Sequence, residues 1–128
     1  MQPALEGVIA TAKKCAPSIH AIFIIDSAGS VSATSDPAPI PISDLSFLSS
    51  LMLIAQHIAS GFKLGNVNHM FLEGKEKSMI LIKATDKNSI VAVIENSMPT
   101  PPALVSLRII VEHLKKLEEL TGESQTIP

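Results

Sequence analysis

The chain has 128 residues, of which 46% are hydrophobic and only 17% charged. Globular domains average about 25% charged residues, so this surface is short of charge, and the length suits a single domain. A formal charge of −2 excludes a general nucleic-acid binder, which needs a basic excess, and a single cysteine excludes an intrachain disulfide framework.

Leu5, Val8, Ile9, Ala12 and Cys15 recur at helical spacing and predict a first amphipathic helix, with Lys13 and Lys14 near its end and Pro17 stopping it. The residues ahead of it lack the basic start of a signal peptide, and the longest apolar runs of four to five residues fall far below a membrane span. A cytoplasmic protein with no membrane insertion is expected. Residues 19–25 are β-branched and apolar on both faces, the mark of a strand covered on both sides. Asp26-Ser-Ala-Gly29 signals a turn, and residues 30–34 read as a returning edge strand. A Pro-rich stretch at 36–41 follows and reads as an ordered loop.

Residues 43–62 predict a strong middle helix, capped by Ser43 or Asp44 and ended by Gly61 or Gly65. Its apolar side chains span about 180°, against roughly 100° for a helix packed on one surface only. Two packing partners are therefore expected. Ser46, Ser49, Ser50, Gln56, His57 and Ser60 fill the other side, with Leu53 in their midst. Three closely spaced strands follow, at 67–73, 79–84 and 90–94, the last apolar on both faces. After a second Pro-rich stretch at 98–102, Leu104, Leu107, Ile110, Val111, Leu114 and Leu117 form the core stripe of a last helix. Gly122 is expected to end it, giving one domain over 1–122 and a flexible tail at 123–128.

This pattern predicts an α+β sandwich. Tight hairpins imply an antiparallel sheet, and the strands apolar on both faces belong together at its centre. The middle helix covers one face, and the first and last helices share the other.

The element order, the Asp26-Ser-Ala-Gly29 turn, the long apolar middle helix and the 67–73 segment with its two following strands resemble the roadblock / dynein light chain family over about residues 4–120. The resemblance implies the profilin-like roadblock fold, a five-stranded sheet in the order 2-1-5-4-3. It also implies a homodimer, or a heterodimer with a related roadblock protein, formed by edge-to-edge pairing of third strands and packing of middle helices. On this chain that interface would take Phe47, Leu51, Ile54 and Ile58 from the middle helix, and Val67, His69 and Phe71 from the third strand. A histidine close to such a two-fold axis would make association sensitive to pH. The resemblance further implies a Ras-like small GTPase as partner, seated on the paired middle helices. There the face formed by Ser46, Ser49, Leu53, Gln56, His57 and Ser60 is the candidate contact, with Leu53 as an apolar anchor in a polar rim. The Pro-rich insertion at 36–42 and the bulk of Phe47, Met52 and Phe62 depart from the family pattern.

Chemistry of the chain's own is not expected. Cys15 sits on the apolar stripe of the first helix, where a free cysteine acts as a small hydrophobe, and Asp26 is explained by its turn, so Cys15, His20 and Asp26 make no nucleophilic set. His20, His57, His69 and His113 have no metal-ligand spacing. No Gly-rich phosphate loop occurs, so the chain is neither a GTPase nor a dinucleotide binder, and no cofactor is expected. Arg108 is the only arginine and belongs to the last helix, away from the expected GTPase contact. The reading is a dimeric, non-enzymatic regulator or scaffold of a Ras-like GTPase. The alternative is a structural adaptor, a motor light chain or heterodimeric scaffold subunit, with no GTPase contact.

Overall fold

A computed structural model describes residues 3–34, 42–95 and 101–126. Its elements are α1 (Pro3–Cys15), β1 (Ile19–Asp26), β2 (Val31–Thr34), α2 (Ile42–Gly61), β3 (His69–Glu73), β4 (Ser78–Lys83), β5 (Asn88–Ile94) and α3 (Pro101–Thr126). The Pro-rich segment at 36–41 and most of that at 98–102 lie outside the described residues.

The five strands form one antiparallel sheet in the order β2-β1-β5-β4-β3. The two strands apolar on both faces are indeed the central neighbours, with Ile22 opposite Ala92 and Phe23 opposite Val91. Alternation along β1 feeds two cores. Ile22 and Ile24 pack with Ile9, Leu107 and Ile110 beneath α1 and α3. Phe23 and Ile25 pack with Leu45, Met52, Leu81 and Val91 beneath α2. Each such side chain, fully removed from water, contributes about 1.5–3 kcal/mol before entropy is counted.

The turn after β1 forms as its residues dictate. Asp26 Oδ1 accepts hydrogen bonds from the backbone N–H groups of Ala28 and Ser30, both at 2.9 Å. Gly29 adopts φ +86°, and a Cβ there would lie 2.4 Å from Cα of Ser46. The glycine thus lets α2 rest directly on the turn. At the β4–β5 hairpin, Glu118 of α3 accepts hydrogen bonds from Thr85 Oγ1 and from Asn88 Nδ2, the latter at 2.6 Å. That clasp ties the β4–β5 turn to α3.

Several local expectations are corrected. Cys15 is exposed, because Ala16 takes the buried place at the end of the α1 stripe. Leu104 is 43% exposed, and Ala103 lies at the helix–sheet contact instead. The helix does not stop at Gly122 but continues to Thr126. α2 does end at Gly61, one of the two glycines expected to end it, but the left-handed position that closes it is taken by Lys63, at φ 58°. Leu64 N–H bonds to Ala59 O at 2.8 Å and Lys63 N–H to Ser60 O at 3.2 Å, a Schellman closure with Lys63 at its C′ position. Finally, β3 begins at His69, not Val67, because the Val67 backbone is bonded elsewhere.

Candidate functional site

Gln56 is what holds Val67. Its Nε2 donates to Val67 O at 2.9 Å and its Oε1 accepts from Val67 N–H at 3.1 Å. At the other end of α2, Ser49 Oγ donates to Asp26 O at 3.3 Å. The helix therefore crosses the sheet from the β1–β2 turn toward β3, with Met52 and Ala59 pointing down.

Its outward side divides in two. One flank carries Phe47, Ile54 and Ile58, all exposed, with Leu51 half-buried behind them. Phe47 is 72% exposed, and Phe62, just past the helix, is 76% exposed. Side chains of this size are the ones that folding would bury were there anything to bury them against. The other flank carries Ser46, Leu53, His57 and Ser60, of which Leu53 is 71% exposed. Ser49 and Gln56, expected on that polar flank, are half-buried and spend their polar groups on the fold itself.

The sheet ends in β3, which among the described residues pairs only with β4 and leaves its outer row of backbone groups open. The edge carries exposed His69 and half-buried Phe71 on one face, and half-buried Met70 with exposed Leu72 on the other. Val67, also half-buried, lies just ahead of the strand. No proline and no lysine blunts β3, the devices that usually protect a free edge. Phe62, Leu64 and Leu72 extend this apolar margin beyond the residues singled out from sequence. Phe62 was visible in the helical arc. Leu64 follows the helix end and Leu72 sits on an edge, so neither has a periodic signal.

The residues considered for chemistry are not gathered. His20 Nδ1 lies 3.0 Å from Glu95 Oε1, which Lys77 Nζ also approaches at 3.6 Å, an exposed surface cluster. Among the described residues no group of three His, Cys, Asp or Glu side chains is placed to hold a metal ion. Arg108 projects from α3, on the face opposite α2. Among the described residues no helix is long and apolar enough to cross a membrane.

The exposed apolar helix flank and the open strand edge are carried on an α+β fold of the roadblock type. The solved structures bear out that fold. The chain is similar to MglB of Myxococcus xanthus with a TM-score of 0.81 at 15% identity, over 91% of this chain and 96% of that one. It is similar to the gliding protein MglB of Thermus thermophilus with a TM-score of 0.74 at 15% identity, over 93% and 94%. A roadblock/LC7 domain from Streptomyces avermitilis gives a TM-score of 0.73 at 9% identity, over 88% and 95%. No family profile and no curated protein matches the sequence.

Proposed function

We propose that this protein is a dimeric regulator or scaffold of a Ras-like small GTPase, working by contact and not by chemistry of its own. The observation that carries the reading is the exposure of Phe47, Ile54 and Ile58 on α2 in a fold whose sheet also ends in the open β3 edge. A second copy, or a related roadblock chain, would extend the sheet through β3 and cover that flank with its own α2. A ten-stranded sheet satisfies the edge backbone groups and removes the apolar flank from water in one step. The similarity to a gliding protein agrees with a role beside a polarity or motility GTPase. The GTPase would then contact the paired α2 helices through Leu53, His57 and Ser60, with Ser46 at the rim.

Two measurements test this. Light scattering on the eluted protein should give twice the chain mass. A pull-down with a Ras-like GTPase from the same organism, loaded with GTP or GDP, should retain one nucleotide state over the other. A dimer that retains neither state supports the adaptor reading, to which the internal use of Ser49 and Gln56 already lends weight. A monomer overturns the homodimer and leaves only pairing with a related roadblock chain.

A further inference from the structure

On the face opposite α2, the helices do not cover the whole sheet. α1 lies over β1 and β2, and α3 runs beside β5; Ile80 of β4 is buried in the same cluster as Leu107 and Ile110 of α3, whereas Ile82 of β4 and Phe71 of β3, farther out, are less covered. Strand alternation puts Phe71 of β3, and Ile80 and Ile82 of β4, on this face. Ile80 and Ile82, with His69 of β3 and Leu104 and Val111 of α3, line an open groove of about 490 Å³, and Phe71 lies on the same sheet face next to Ile80. Phe71 and Ile82 are only half-buried, and the unexpected exposure of Leu104 is explained by its place on this wall. The rim is basic in a chain of net charge −2: Lys83, Arg108 and Lys115 line the groove against a single acid, Glu112. Glu112 lies 3.6 Å from Lys115, and Lys83 lies 4.0 Å from Asp86. Arg108 makes no ion pair among the described residues, and its planar guanidinium is suited to a carboxylate.

We propose that the paired chains carry here a trough for one acidic amphipathic helix of a partner protein. The proposal rests on the dimer proposed above, because the second wall comes from the second copy. With the β3 edges paired, five strand spacings separate β5 from its counterpart, which sets the two α3 axes about 24 Å apart. Subtracting one helix diameter of about 10 Å leaves a gap of about 14 Å, room for one helix and not two. β3 and β4, five and six residues long, make the floor about 17–20 Å long, or three to four helical turns. Both walls present the same basic rim, so the occupant needs an apolar stripe flanked by acids on both sides. The trough faces away from α2, so a GTPase and this helix can be held at once.

The probe is a 16-residue helical peptide with a leucine stripe flanked by glutamates, and its counterpart with lysines in their place. The full chain is first weighed by light scattering, then titrated with each labelled peptide. The Glu peptide should bind with one peptide per two chains, and the Lys peptide at least tenfold more weakly. R108E with K115E should weaken the Glu peptide at least tenfold and leave the dimer mass unchanged, and R108Q should give a smaller loss. A dimer that binds both peptides alike, binds neither, or takes two per dimer overturns the proposal. So does binding to anionic phospholipid vesicles without binding to the Glu peptide. A monomeric mass overturns the pairing of two copies, which separates that failure from a failure of the trough.

Discussion

Gln56 grips Val67 by both of its backbone polar groups, donating to the carbonyl at 2.9 Å and accepting from the amide at 3.1 Å. One side chain on α2 thereby fixes where the chain enters β3. Removing it with Gln56→Ala leaves a half-buried N–H and C=O to find water, at a cost of about 1–2 kcal/mol. A lower urea midpoint with an unchanged slope, at fixed protein concentration, is the expected result. Because β3 is the proposed pairing edge, the variant should also weaken the dimer in a dilution series.

Lys63 holds a conformation that suits glycine. At φ 58° its Cβ crowds the following carbonyl, a cost of about 1–2 kcal/mol for a residue other than glycine. Lys63→Gly should raise stability by about 0.5–1 kcal/mol, since glycine gives back part of the gain through its greater freedom when unfolded. Thermal unfolding reads the sign directly, and a lower melting temperature contradicts the assignment.

Gly29 is constrained twice, by φ +86° and by the backbone of Ser46 against it. Gly29→Ala forces either the turn or α2 to move, because the clash is with main chain and no side chain can swing away. A loss of about 3 kcal/mol or more is expected in chemical denaturation. The neighbouring Ala28→Gly, in an exposed position, serves as the control and should change stability far less.

The two flanks of α2 should separate genetically. Ile54→Asp places a charge where the second helix is proposed to sit and should convert the dimer to monomer in light scattering. Leu53→Asp, on the other flank, should leave the mass unchanged and weaken GTPase retention at least tenfold. The reverse pattern assigns the flanks the other way round.

The sheet was legible because its two central strands are apolar on both faces, and only a strand with cover above and below can be so. The middle helix was legible for the same kind of reason: its apolar arc exceeds what one surface can bury, and Phe47, Ile54 and Ile58 stay outside in the folded chain. What failed were features set by partners distant in sequence. Gln56 reads as a polar surface residue until Val67 comes within reach of its amide. Glu118 reads as a solvated charge until the β4–β5 turn brings Thr85 and Asn88 against it. The Leu104 assignment failed because the helical stripe is a few residues wide, and which edge of it meets the sheet depends on where α3 lies over β5. The basic groove beside α3 has no linear signature, since its cations come from β4 and from two turns of one helix.

The pairing of β1 with β5 also governs how the chain must be made. Ile24 finds its partner Ile90 only when about half the chain's length has been synthesised between them. Until then the most apolar segment of the protein has only β2 to pair with and no finished core to enter. The β3–β4–β5 meander, by contrast, needs only near neighbours and can assemble as soon as it emerges. With this topology the last strands can form a template onto which the first strand docks. A nascent chain stalled before β5 exposes Ile22 to Ile25 as a ready site for aggregation or for a chaperone.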